Sequence, residues 1–326
     1  MENSILQLFP LSHRTFWQRT ADAQDRIQEI RLRAGREAVL YMDGREFFLT
    51  DQGEFTDSCL GARRMTEREL EEILEHICHY SPYAFEEELR RGFVTVAGGH
   101  RVGVAGQAVL AENGKLRTLK NISFFNIRVS HQKKGAADQV LPRMYREGRL
   151  KSALIISPPG CGKTTILRDL VRQISDGNAF GRGMTVGVVD ERSELAGSFL
   201  GRPQNDVGMR TDVLDGCPKE LGMLLLLRSM SPRVIAIDEL GSDGELQALG
   251  QASACGCRIL ATVHGEGRAD VERRFGKGAD FWERMFDLFL ILGKENGKCV
   301  VKQLEESGRT SRRHPEEPGN KMPGSA

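Results

Sequence analysis

The sequence predicts an α/β protein, a core with a mainly parallel sheet preceded by a smaller α+β domain. Three observations carry that prediction. Four short runs, "ALIIS", "TVGVVD", "VIAIDEL" and "CRILATV", are apolar almost throughout and recur between residues 153 and 263. Strands buried on both faces read this way, whereas a half-exposed strand alternates. The stretches between the runs are charged or carry glycine, and strands alternating with helices close into a parallel sheet. Upstream of residue 132 short strands and turns instead surround a single amphipathic helix.

In chain order, "IQEIRLRAG", "AVLYMDG" and "REFFLT" are apolar runs separated by turns and predict strands. "MTERELEEILEHICHYS" predicts a helix: Thr66 is the N-cap, Glu69 follows three residues on, and Leu70, Ile73, Leu74 and Ile77 share a face. "GFVTVAGGHRVGVAGQAVLAENG" and "ISFFNIRVSH" predict hairpins whose glycines allow tight turns and close strand approach. These elements make a domain over residues 1–132. "QKKGAADQ" opens a polar linker and lead-in over 133–150, and 151–307 hold the second domain. The end, 308–326, mixes charges with proline and glycine and is expected to be disordered.

With 326 residues the chain is long enough for two cores at about 100–200 residues each. Its 46 Lys and Arg against 45 Asp and Glu leave a net charge of +1, so no global field draws it to nucleic acid or to an anionic membrane. No run of about 18 apolar residues is present to span a bilayer. The start lacks the charged end and long apolar block of a secretory signal. Seven cysteines without a repeated C-x-x-C framework suit a reducing compartment, and a cytoplasmic location is expected. Zinc on Cys217, Cys255 and Cys257, or on His76, Cys78 and His79, is disfavoured by the spacing.

The chemistry centres on "SPPGCGKTT", Ser157, Pro158, Pro159, Gly160, Cys161, Gly162, Lys163, Thr164 and Thr165. It departs from the phosphate-loop pattern G-x-x-x-x-G-K-[ST] only at Ser157, a small residue the turn entry accepts if its φ is negative. A buried strand leads in, and "TTILRDLVRQI" leads out with Ile166, Leu167, Leu170 and Ile174 on one face. Loop amides and the helix N-terminus would face the β-phosphate of ATP, Lys163 would reach the β- and γ-phosphates, and Thr164 would bind Mg²⁺. "VIAIDEL" ends in Asp238, a second Mg²⁺ ligand, and Glu239, placed to orient or deprotonate the attacking water. "TVGVVDERSEL" ends in Asp190 and Glu191 with Glu194 near; "RILATVHG" ends in Thr262 and His264. Ligands of open α/β sheets lie at the carboxyl ends of strands, so these groups should line one crevice.

Four such strand ends in this order resemble the secretion and pilus ATPases, a family of RecA-like P-loop motors. The loop matches that family's Walker A, "VVDERSEL" its acidic box, "VIAIDEL" its Walker B and "ILATVHG" its histidine box. "YAFEEELRRGFVTVAGGHRVGVAG", "PQNDVGMRTDVLDGCPKELGMLLLLRSMSP" and "CGCRILATVHG" resemble a sporulation branch of the family in endospore-forming bacteria, over roughly residues 26 to 305. The resemblance implies a Mg²⁺-dependent ATPase in a ring, expected to be a hexamer. It would be peripheral to the membrane and partnered by membrane proteins of a secretion-like channel between mother cell and forespore. Catalytic roles would fall on Glu239, Lys163, His264 and Glu191. Many members carry Gly-Glu where this chain has Asp238-Glu239, which moves the Mg²⁺ role to Asp238 and leaves Glu191 or Glu194 to position. Arg210, Arg228, Arg128 and Arg101 compete as the arginine finger.

Two other functions use the same residues. A nucleic-acid-stimulated RecA-like motor would need a basic stripe interleaved with aromatics, which the sequence lacks, so no nucleic-acid partner is expected. A nucleotide-gated assembly scaffold would bind ATP and hardly turn it over.

Overall fold

The computed structural model describes residues 4–81, 85–295 and 298–308. The tail expected to be disordered falls, apart from Gly308, outside these residues. The first sheet is antiparallel throughout and has seven strands: β1 (Ile27–Arg33), β2 (Val39–Met42), β3 (Arg45–Leu49), β4 (Phe55–Thr56), β5 (Phe93–Thr95), β6 (Arg101–Leu110) and β7 (Leu116–Arg128). Their spatial order is β4-β3-β2-β1-β7-β6-β5. Helix α1 (Arg14–Asp22) buries Trp17 in its core, and α2 (Glu67–Ile77) buries Leu70, Ile73 and Ile77. Thr66 and Glu69 cap α2 reciprocally, satisfying two amides that the first turn leaves without intrahelical partners. A short α3 (Glu86–Arg90) leads into β5.

The stretch after β7 is packed, in contrast to the polar linker its sequence suggests. Ala137, Val140, Leu141 and Met144 are buried in the core of the second sheet, and the Ala137 amide donates to Asp169 Oδ2 at 2.9 Å. A two-stranded ribbon, β8 (Tyr145–Arg146) and β9 (Arg149–Leu150), then delivers the chain to β10 (Ala153–Ser157). Helix α4 (Lys163–Asp176) follows, then a small ribbon of β11 (Gly177–Asn178) and β12 (Gly181–Arg182). The remaining strands are β13 (Val186–Asp190), β14 (Thr211–Asp215), β15 (Val234–Ile237), β16 (Arg258–His264), β17 (Leu288–Glu295) and β18 (Lys298–Glu306). The helices among them are α5 (Lys219–Ser229), α6 (Asp243–Ala254), α7 (Arg268–Phe275) and α8 (Ala279–Met285).

The second sheet runs β14-β13-β15-β16-β10-β17-β18, parallel except for β18. Its strands send alternate side chains to opposite faces. Ile155, Val188, Ala236 and Leu260 meet α4 on one face, and Ile156, Val189, Ile237 and Ala261 meet α5 to α8 on the other. Gly222 lets α5 lie close to β13, since a β-carbon there would fall 2.5 Å from Val189. The parallel strands β10 and β13 to β17 therefore end at one rim, with the loops that carry polar groups collected there.

The two sheets meet through the segment 194–206. Arg101 Nη1 pairs with Glu194 Oε1 at 2.5 Å, and the Gly98 amide donates to Gln204 Oε1 at 2.9 Å. Gln132 and Asp206 exchange two hydrogen bonds. Above this contact a crevice of about 700 Å³ opens, walled by Arg91, Phe93, Arg101 and Arg128 on one side and Glu191, Arg192 and Glu194 on the other.

Candidate functional site

The loop between β10 and α4 has the geometry of an anion cradle. Gly160 and Gly162 take φ of +69° and +79°, which other residues rarely adopt. Gly162 occupies the cap position of α4 and no side chain caps that end, so the first amides of the helix are available to a phosphate. Ser157 is fully buried at the end of β10, lies outside the positive-φ region, and donates from Oγ to the Pro158 carbonyl at 2.8 Å. Strand pairing places it opposite His264 on β16.

Lys163 is buried and donates from Nζ to His264 Nδ1 at 2.9 Å. That leaves the imidazole proton on Nε2, which donates to Glu239 Oε1 at 2.9 Å. The second oxygen of Glu239 accepts from Arg192 Nη1 at 2.9 Å. Burial pushes the Lys163 ammonium below its ordinary pKa, and the Asp238 and Glu239 carboxylates oppose the fall. Burial raises the Glu239 carboxyl, but the hydrogen bond from His264 and the charges of Arg192 and Lys163 outweigh it and hold the group below the usual range. Glu239 sits at φ +56°, a conformation unusual outside glycine; its amide donates to Thr262 Oγ1 at 2.8 Å.

Thr164 Oγ1 donates to Asp238 Oδ2 at 2.6 Å, and Thr262 donates to the other Asp238 oxygen. A hydroxyl and a carboxylate at the mouth of a phosphate cradle are hard oxygen donors, which suit Mg²⁺. Among the described residues no three His, Cys, Asp or Glu cluster as a self-sufficient metal site. Thr164 and Asp238 would supply only part of a Mg²⁺ shell, which this ion accepts when water and phosphate complete it.

The acidic strand end divides its labour. Asp190 is buried and accepts the amides of Glu194, Leu195 and Ala196; burial raises its carboxyl to about 6, with the three amides offsetting part of the rise. Its work is to shape the turn. Glu191 pairs with Lys219 Nζ at 3.0 Å, and Lys219 also reaches Glu245 at 3.1 Å. Glu191, Arg192 and Glu194 line a small pocket with Asp238 and Glu239, so Glu191 lies near these carboxylates while its ion pair is with Lys219.

The four arginines separate. Arg101 and Arg128 are register partners on β6 and β7 and both wall the crevice. Arg210 donates to the Ser175 and Asp176 carbonyls at the far end of α4, a helix length of about 20 Å from Lys163. At that distance Arg210 does not reach phosphate held by its own chain's loop. Arg228 is exposed in the last turn of α5, just before β15 starts and thus at the rim opposite Asp238.

A family model described as sporulation stage III, protein AA matches residues 1–310. Stage III sporulation protein AA of Bacillus subtilis (strain 168) is 39% identical over 303 residues, covering 93% of this chain and 94% of that protein. The chain belongs to the stage III sporulation protein AA family. Its fold is that of the RecA-like secretion ATPases. The Legionella pneumophila ATPase DotB aligns at a TM-score of 0.56 and 18% identity, over 90% of this chain and 79% of that one. The pilus retraction motor PilT aligns at 0.58 and 17%, over 90% and 83%. Among the described residues of this family member no helix is long and apolar enough to cross a membrane.

Sequence reasoning missed four residues at or beside the site. Arg192 lay within the quoted acidic box, but nothing in its spacing foretold the pairing with Glu239. Lys219 is some 30 residues from Glu191 along the chain, and only the fold brings them together. The β17–β18 hairpin places Lys294 and Cys299 against the loop, where Cys299 Sγ lies 3.7 Å from the Gly160 carbonyl. The apolar run "LFLILG" followed by "KENGK" is a hairpin signal that would have found it.

Proposed function

We propose that the chain hydrolyses ATP and works as a ring-forming motor on the cytoplasmic face of a secretion-like sporulation channel, with that channel's membrane proteins as partners. The Thr164–Asp238 contact carries this reading: it joins the phosphate loop to the end of β15, two strands away in the sheet, where a nucleotide-bound Mg²⁺ would sit. Loop amides and the N-terminus of α4 hold the β-phosphate, and Lys163 leaves His264 to reach the β- and γ-phosphates. Thr164 and Asp238 would hold Mg²⁺, which would supply positive charge against the charge that develops during phosphoryl transfer. Glu239 accepts a hydrogen bond from the attacking water and orients it. Arg101 and Arg128 face this end of the site across the crevice and supply positive charge from the N-terminal domain, while Glu191 positions through Lys219. His264 then senses whether Lys163 is engaged by phosphate.

The test measures phosphate release and particle size together, with and without ATP. Lys163→Ala should abolish turnover, and Glu239→Gln should bind ATP, form the ring and release no phosphate. Wild-type turnover by purified Lys163→Ala would overturn the assignment. Tight ATP binding with negligible phosphate release by the wild-type ring would favour an assembly scaffold.

A further inference from the structure

The phosphate loop has two flanks, and only one of them enters the function proposed above. On the first, β16 and β15 bring His264, Glu239 and Asp238. On the second, β17 runs parallel to β10 with Ile291 opposite Ile156, so Lys294, three residues further on, stands level with the loop. A β-carbon placed on Gly160 would lie 3.7 Å from Lys294 Nζ, and one on Gly162 would lie 3.6 Å from Cys299 Sγ. Lys294 and Cys299 are register partners on β17 and β18, and Cys299 touches the Gly160 carbonyl. The hairpin therefore closes directly onto the loop. Lys294 is exposed, and among the described residues no acid pairs with it.

We propose that Lys294 is a second phosphate-binding lysine of the nucleotide site, contacting the α- and β-phosphates that ATP and ADP share. The direction follows from the other flank. Thr164 and Asp238 fix the Mg²⁺ end on the β15 side, so the γ-phosphate points there. The remainder of the nucleotide then leaves the loop on the opposite side, past Gly160 and toward β17. An exposed ammonium beside amides that already favour anions adds a contact without having to be released from a partner first. Because it meets the shared phosphates, Lys294 holds ADP as firmly as ATP, whereas Lys163 extends to the γ-phosphate.

This inference rests on the nucleotide reading, and direct binding separates the two. Fluorescent ADP and a fluorescent non-hydrolysable ATP analogue, each with Mg²⁺, are titrated into the full chain and its variants. Lys294→Gln should weaken both nucleotides alike, by about fivefold to tenfold. Lys294→Arg should recover most of the loss, and Lys120→Gln on the distant β6–β7 hairpin should change neither affinity. Unaltered ADP affinity in Lys294→Gln, beside lost binding in Lys163→Ala, overturns the role of Lys294 alone. A loss confined to the ATP analogue overturns it as well, by placing Lys294 at the γ-phosphate. No binding of either nucleotide by the wild type removes the nucleotide reading and this inference together.

Discussion

At the scale of single residues, Ser157 shows how a motif tolerates a departure. The first position of the loop ends a buried strand, its φ is not positive, and its hydroxyl closes on the next carbonyl. The positions that need the left-handed region, Gly160 and Gly162, keep glycine. Ser157→Gly should therefore change the ATPase rate by less than about tenfold, under about 1.4 kcal/mol of barrier; a larger change in steady-state turnover would give the hydroxyl a catalytic role. Asp190 makes a second residue-scale prediction. Burial raises its folded pKa to about 6 from 3.8, so its ionised form is the costly one in the native state. Its stabilising contribution is full below pH 3.8 and is lost as pH rises through 6, at about 3 kcal/mol in total. Urea unfolding between pH 4 and pH 7 should show this loss in the wild type and not in Asp190→Asn.

At the scale of elements, α4 is held at both ends by different chemistry. No side chain caps its N-terminus, and its last carbonyls are taken by Arg210. Arg168, on the turn after Thr164, is buried and donates to the Leu195 and Glu194 carbonyls at 2.6 Å each, tying the helix to the acidic turn. Arg210→Ala should lower stability by about 1 kcal/mol, the usual net value of such hydrogen bonds. Turnover per folded molecule should stay within about twofold, because the guanidinium lies about 20 Å from the loop. A collapse of kcat with the unfolding midpoint unchanged would return Arg210 to the list of arginine fingers, acting from a neighbouring copy.

At the scale of the whole molecule, the site proposed above draws on both sheets. The parallel sheet supplies loop, carboxylates and histidine; the antiparallel sheet supplies Arg101 and Arg128 across the crevice. The Arg101–Glu194 pair joins them directly, and Arg101 also stacks its guanidinium 3.5 Å over Phe93, which fixes its approach. A nucleotide that draws Arg101 away from Glu194 would move one domain against the other, a rigid-body change of the kind motors use. Arg101→Ala should cut kcat by about a hundredfold or more while leaving ADP affinity within about threefold. Equal losses in kcat and ADP binding would instead assign Arg101 to ground-state binding.

Local chemistry was legible in the sequence wherever a short stretch carries its own constraint. Glycines at positive φ, an apolar run ending in Asp238-Glu239, and Thr66 three residues before Glu69 each announce themselves without knowledge of the rest of the chain. The strand–helix alternation likewise determined an α/β core, because buried strands must be apolar on both faces. What the sequence left open was which distant groups meet. Arg192 on Glu239, Lys219 on Glu191, Lys294 beside Gly160, and the placing of Arg101 and Arg128 at the crevice while Arg210 lies at the far end of α4, all depend on strand order. Residues 133–150 read as a linker because their polar positions dominate, yet Ala137 and Val140 find a core to enter once α4 is in place. Backbone preference acts between neighbours and is written in neighbouring residues; charge pairing and burial act through space, so the tertiary structure alone decided them.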